Sequence, residues 1–116
     1  MKINFKENLK NINLCVLLSL DQSEVEFQSL VNQLLVAGVR MIQLRDKKAE
    51  TARLCHRTQI TLEQAREHAM STMEEKCIVV VNDRVDVAVA TGADGVHLGE
   101  SDLPVPLARK VCGHEF

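Results

Sequence analysis

Three polar side chains stand at alternate positions where the apolar run "VRMIQL" ends. They are Gln43, Arg45 and Lys47. Alternate residues of a strand share a face, so an extended segment would point an amide and two cations the same way. An Arg guanidinium offers a planar fork to phosphate oxygens, and a Lys ammonium offers a compact charge. The spacing predicts a phosphate-binding strand end, with a solvated turn paired to Asp46 and Glu50 as the alternative.

Two later apolar runs also end in polar groups. Asn82 and Asp83 follow "CIVVV", while His97 interrupts the next run and Asp102 lies just beyond it. Carboxylates of this kind suit Mg²⁺, which takes one or two of them together with substrate phosphate and water. The alternatives are a local ion pair between Asp83 and Arg84, and a helix cap at Asp102. Because three successive runs end this way, the pattern favours one shared site at the strand ends.

The elements that must position these groups alternate between strand and helix. Apolar runs predict strands at residues 13–20, 39–44, 77–81 and 95–98. Helical patterns predict helices after each run, from Ser23 to Gly38, over 50–75 with a break near 58–61, over 85–90, and from 102 to 112. This alternation implies a parallel sheet with right-handed crossovers. Two architectures fit, a small doubly wound sheet and part of a (β/α)8 barrel, which typically needs about 250 residues.

Composition limits the class of protein. The chain has 116 residues, 46% hydrophobic and 26% charged, and a formal charge of −2. This predicts one domain over residues 1–116. No basic block and no Trp or Tyr are present, which argues against a nucleic-acid partner, and no apolar run is long enough for a membrane span. Four widely spaced Cys predict reduced thiols and a cytoplasmic location.

Longer stretches of the sequence resemble a known family. "QLRDK" at 43–47, "VVVNDRVDVAVATGADGVHLGESDLP" at 79–104, and Ala108-Arg109 are similar to thiamine phosphate synthases, and the resemblance covers about residues 12–113. It implies a TIM (β/α)8 barrel, of which this chain would be the first half, (βα)4. It also implies a transferase that joins hydroxymethylpyrimidine diphosphate to thiazole phosphate, releases pyrophosphate and requires Mg²⁺.

The same resemblance assigns roles to individual residues. Five positions would bind the pyrimidine substrate and its diphosphate, and two would hold the metal. The substrate-binding positions are Gln43, Arg45, Lys47, Asn82 and His97. The metal-binding positions are Asp83 and Asp102.

The sequence also departs from the family pattern. Glu100 stands where the family usually has Gln, and the first strand ends in Ser19-Leu20-Asp21 instead of Thr-Asp. The loops expected after a fifth strand, which bind the thiazole phosphate, have no counterpart in this chain. Four strands would leave open edges, so we expect self-association. Two other functions stay open: a thiazole tautomerase-like protein and a non-catalytic half-barrel that binds the pyrimidine diphosphate.

Overall fold

A computed structural model describes residues 9–113 and 116. From the first strand onward, strands and helices alternate. The strands are β1 (Val16–Leu18), β2 (Met41–Leu44), β3 (Ile78–Asn82) and β4 (Gly95–His97). The helices are α1 (Glu24–Val36), α2 (Thr51–Thr72), α3 (Val85–Thr91) and α4 (Val105–Cys112). Each observed strand falls within or one residue beyond its predicted range.

The four strands form one parallel sheet in the order β1-β2-β3-β4. Ile42 pairs with Val16 on one side and with Val79 on the other. A doubly wound sheet reverses its strand order partway across, whereas this sheet adds each new strand on the same side. With right-handed crossovers, sequential addition places the helices on one face. The predicted α/β fold is confirmed, and the strand order is that of half a barrel.

The core lies between the sheet and these helices. Ile42, Leu44, Val79 and Val81 alternate along β2 and β3 and are fully buried in the same cluster as Phe27 of α1. Apolar alternation toward the helices fixes the register, because a slip of one residue would turn this set to the opposite face. The remaining side chains of β2 and β3 therefore face the inner side of the sheet, where the polar strand ends lie.

Helix α2 is continuous through the segment where a break was predicted. The hydroxyl of Thr58 donates to the carbonyl of Leu54 at 2.7 Å, and that of Thr61 donates to Arg57 at 2.8 Å. Each hydroxyl thus binds the carbonyl one turn earlier, which satisfies it without opening the helix. The predicted break at 58–61 is wrong for this reason.

Disulfides and membrane-spanning helices are both absent from the described residues. Cys15, Cys55, Cys77 and Cys112 are all free thiols. Within the described residues, no helix has the length and apolar character needed to cross a bilayer.

Candidate functional site

The end of β2 lies where the sequence predicted it, at the close of the range 39–44. The strand stops at Leu44, and the backbone N–H of Arg45 donates to the carbonyl of Leu18 at 2.9 Å. Gln43 is 7% exposed, whereas Arg45 and Lys47 are exposed. The strand does not persist to Lys47, so the two cations lie on a loop beyond the last strand residue, and the alternation that would place them on the face of Gln43 does not extend to them.

Asp46 is the reason for this turn. Its Oδ1 accepts hydrogen bonds from the backbone N–H groups of Lys48 and Ala49 at 3.0 and 3.1 Å. Its Oδ2 accepts from the N–H of Leu20 at 3.0 Å, across from the loop after β1. These hydrogen bonds lower the pKa of Asp46, and the bond from Leu20 has the largest effect. The carboxylate accepts hydrogen bonds from backbone donors. The structure therefore does not have the alternative turn, in which Asp46 would pair with its basic neighbours.

The end of β3 carries an unusual backbone conformation. Asp83 has a φ of 67°, in the left-handed region. Its N–H donates to the carbonyl of His97 at 2.9 Å, and the N–H of Arg84 donates to the carbonyl of Asn82 at 2.8 Å. A bond that spans only one intervening residue is a γ-turn, which is strained when that residue has a positive φ. Such strain is typical of functional sites. Arg84 binds Asp86 at 2.8 Å, so the local pairing of Asp83 with Arg84 is not formed.

Asn82 and His97 lie side by side on the inner face. They are paired in the register of β3 and β4. The His97 Nδ1 and the Asn82 Oδ1 are 3.3 Å apart, and Asn82 is 8% exposed. The two predicted substrate-binding residues thus contact each other at neighbouring strand ends.

Asp102 folds back over the loop that follows β4. Its Oδ2 accepts a hydrogen bond from the N–H of Gly99 at 2.6 Å. A Cβ at Gly99 would meet the same oxygen at 3.2 Å, so the close approach favours glycine. Helix α4 begins after Pro104 without a side-chain cap. The alternative in which Asp102 caps this helix is therefore not observed.

The two carboxyl groups from β3 and the β4 loop meet. A hydrogen bond to Asp102 raises the pKa of Asp83, and partial burial raises it further. Hydrogen bonds lower the pKa of Asp102. The largest effect comes from Asp83 and the next from the N–H of Gly99. Two adjacent carboxylates repel each other, and a proton or a cation between them relieves the repulsion. Lys47 and Arg45 oppose the rise in the pKa of Asp83, so both cations lie within electrostatic range of the pair.

A pocket of about 350 Å³ opens beside this cluster. Its lining is mainly apolar, with Gln43 and His97 from the strand ends and the charged side chains of Asp94 and Arg109. The lining includes Met41, Val80, Val96 and Val105 together with Gln43 and His97. The Oε1 of Gln43 is buried, and no described residue donates a hydrogen bond to it. Since an unpaired buried acceptor is costly, this oxygen is suited to receive a hydrogen bond from a donor in the pocket.

The donor set at the strand ends suits a hard cation. Asp83 and Asp102 offer two carboxylates, and no group of three metal-binding side chains exists within residues 9–113. Mg²⁺ is usually held by one or two carboxylates, with the other positions taken by phosphate oxygens and water. The residues present therefore fit Mg²⁺ bound together with a diphosphate better than they fit a metal caged by protein alone.

Known proteins resemble this chain over most of its length. The family model described as thiamine monophosphate synthase matches residues 15–116. A thiamine-phosphate synthase of Prochlorococcus marinus (strain MIT 9313) is 39% identical over 113 residues, which cover 95% of this chain and 30% of that protein. One from Chlorobium phaeovibrioides is 41% identical over 100 residues, covering 86% of this chain and 43% of that protein.

A solved structure shares the fold. Thiamine phosphate pyrophosphorylase from Pyrococcus furiosus aligns with a TM-score of 0.69 and 32% identity, over 89% of this chain and 47% of that chain. The chain thus spans less than half the length of each of these relatives. With a family model that matches nearly all of its residues and a shared fold, the chain belongs to the thiamine monophosphate synthase family.

Proposed function

We propose that this chain binds the diphosphate of hydroxymethylpyrimidine diphosphate, with Mg²⁺, for its transfer to thiazole phosphate in thiamine phosphate synthesis. One observation carries the proposal. Arg45 and Lys47 after β2, Asp83 after β3 and Asp102 after β4 form one cluster, because they follow strands that lie side by side in the sheet and the two cations act electrostatically on Asp83. A diphosphate needs cations on its oxygens and a metal held by carboxylates, and the cluster offers both kinds of group.

The reaction asks the protein to stabilise a leaving group. When the pyrimidine methylene loses diphosphate, negative charge accumulates on the departing oxygens, and the thiazole nitrogen then forms the new bond. A bound Mg²⁺ would supply charge neutralisation at those oxygens. Arg45 and Lys47 are exposed at the same place and would add fixed positive charge. Asp83 and Asp102 would hold the cation, which relieves the repulsion between their carboxylates.

The adjoining pocket supports binding of the pyrimidine ring. Its apolar lining can exclude water from the reacting carbon. The unpartnered Oε1 of Gln43 would accept a hydrogen bond from the amino group of the ring. Asn82 and His97, already in contact with each other, would orient the bound ring relative to the metal. Ring and diphosphate would therefore bind to adjacent parts of one site.

The tautomerase-like alternative is less well supported. A tautomerase moves protons on a thiazole phosphate and needs no metal-diphosphate site, so it gives no role to the carboxyl pair of Asp83 and Asp102. The non-catalytic half-barrel differs from the synthase only in turnover. The test below separates it.

We also propose that copies of this chain associate through strand edges. Within the described sheet, β1 and β4 each pair with a single strand, and unpaired edges favour pairing with another chain. Leu17, in β1, is 53% exposed, as expected of an inner face without cover. Size-exclusion chromatography should give a dimer or larger species, and a monomer at all concentrations would contradict the proposal.

The four free thiols support a cytoplasmic location.

The test compares the pyrimidine diphosphate with pyrophosphate by calorimetry, with and without Mg²⁺. Wild-type protein should bind both only with Mg²⁺. Gln43→Leu should weaken binding of the pyrimidine diphosphate about tenfold and leave pyrophosphate binding unchanged, because only the ring contact is lost. Absence of Mg²⁺-dependent binding would refute the proposal. Binding without thiamine phosphate formation, when thiazole phosphate is added, would identify a non-catalytic binder.

A further inference from the structure

We infer that Asp46 is a positioning residue, which holds Arg45 and Lys47 toward the diphosphate without contacting it. The inference rests on the proposed function, since it explains how the chain presents the two cations that the function needs. Asp46 stands between them in sequence, yet its carboxylate faces three backbone N–H groups. The side chain thus serves as the anchor of the loop that carries both cations.

Asp46 provides the side-chain hydrogen bonds that hold this turn, in addition to the backbone bond from Arg45 to Leu18. β2 ends at Leu44, and α2 begins at Thr51 with no side-chain cap from Glu50. Between these elements, the bonds from Lys48 and Ala49 to Asp46 Oδ1 close a turn of the type that Asp favours. Without them, the loop that carries Lys47 would lose its defined conformation.

Asp46 also forms a hydrogen bond to a neighbouring loop, the one after β1. Asp46 Oδ2 accepts the N–H of Leu20, twenty-six residues away, at 3.0 Å. Leu20 is fully buried, and its carbonyl accepts from Arg53 Nη1 at 3.4 Å. The loop after β1 is therefore itself fixed, which gives the loop after β2 a rigid support. Rigid presentation matters because groups that bind a diphosphate lose affinity when they must be ordered on binding.

The hydrogen bonds of Asp46 also affect how much positive charge the loop presents. If the Asp46 carboxylate turned toward its basic neighbours, it would neutralise the cations that the diphosphate requires. Its three backbone bonds keep it engaged elsewhere, and Arg45 and Lys47 instead act on the Asp83 carboxyl. Asp46 thus fixes the loop and also keeps its own negative charge away from the anion.

The test measures Mg²⁺-dependent pyrophosphate binding by the full chain. Asp46→Asn should weaken it about tenfold, because the amide cannot accept all three N–H groups. Asp46→Ser, which retains the local turn but loses the bond to Leu20, is the second variant if the first is unstable. Asp21→Asn is the matched control, since it makes the same change in charge on an exposed residue whose carboxylate, among the described residues, accepts a hydrogen bond from Ser19 alone; its affinity should equal that of wild type.

A purely structural role is distinguished by a double-mutant cycle. In an Arg45→Gln background, Asp46→Asn should cost clearly less affinity than in wild type, since one of the oriented cations is already gone. An equal cost in both backgrounds, or unchanged binding by folded Asp46→Asn, would overturn the inference while the diphosphate site stands. If wild-type protein binds no pyrophosphate with Mg²⁺, the proposed function fails and this inference fails with it.

Discussion

The carboxyl groups of Asp83 and Asp102 lie close enough to shift each other's pKa in opposite directions, although nineteen positions of chain separate them. Their interaction joins the residue after β3 to the loop that follows β4, and the parallel pairing of Asn82 with His97 sets the distance between these two ends. Two carboxyls in contact are unfavourable at neutral pH unless a proton or a cation lies between them. Their contact therefore reflects a requirement for binding more than one for stability.

Neutralising one of these carboxyls should stabilise the protein in the absence of metal. Asp83→Asn keeps a side-chain donor for Asp102, tolerates the left-handed backbone and removes the carboxyl whose pKa is raised. A raised pKa means that the folded protein loses stability as pH rises through the titration of Asp83. The gain from Asp83→Asn should therefore be largest at neutral pH and shrink in acid. Urea denaturation at several pH values measures it, and a loss of stability at neutral pH would contradict the account.

The left-handed backbone at Asp83 predicts that a glycine variant is more stable than an alanine variant, which is the reverse of their order inside a helix. At a φ of 67°, Ala is strained and Gly is not. Asp83→Ala should be less stable than Asp83→Gly by about 1 kcal/mol. Asp86, in the first turn of α3, is the matched control, because there Gly should be worse than Ala by about 0.5–1 kcal/mol. Denaturant unfolding measures both pairs, and the same order at both positions would refute the prediction.

Arg57 should contribute strongly to stability although it carries a buried charge. The side chain is 5% exposed, donates to the carbonyls of Gln22 and Ser23 at 3.1 Å each, and lies over the Phe27 ring. Arg57→Met removes the bond to the Gln22 carbonyl and one of the two bonds to the Ser23 carbonyl, which keeps the N–H of Phe27, and should cost about 1–3 kcal/mol of unfolding free energy.

The control for Arg57 is on the same helix. Arg66 is exposed, so Arg66→Met should change the unfolding free energy by no more than about 0.5 kcal/mol. Urea denaturation of both variants makes the comparison. Equal effects at the two positions would show that the buried contacts of Arg57 contribute nothing.

Cys77 should resist alkylation in the folded chain. Burial, with a smaller effect from Asp94, raises the pKa of this thiol to about 12. Because the thiolate is the reacting form, labelling at about pH 8 should be slowed about a thousandfold relative to the unfolded chain. Mass spectrometry of iodoacetamide-treated protein measures it, with half-buried Cys112 as the reference. Native Cys77 that reacts as fast as Cys112 would contradict the prediction.

Local patterns in the sequence were sufficient to predict the elements. The apolar run before Asn82 and the cap at Ser23 each depend on a few neighbouring residues, and both are present in the structure. Because parallel strands end at one edge of a sheet, the position of Asp83 and Asp102 after successive strands was enough to predict that they meet.

Contacts between distant loops could not be predicted in this way. The bond from Leu20 to Asp46 spans 26 residues, and that from Arg57 to Ser23 spans 34. A single Asp between two cations suggests an ion pair, and an Arg on a helix suggests a solvated charge. Only the assembled fold brings unpaired backbone groups to these side chains. The Asx-turn pattern at Asp46, with a helix starting shortly after it, was the one local signal available.

Calorimetry of pyrophosphate binding to wild type and Asp102→Asn, with and without Mg²⁺, tests the central claim most directly. We expect wild-type binding to require Mg²⁺, and Asp102→Asn to lose at least about tenfold in affinity while it stays folded. Binding that is independent of Mg²⁺, or equal affinity in the two proteins, would contradict a metal-diphosphate site at these strand ends.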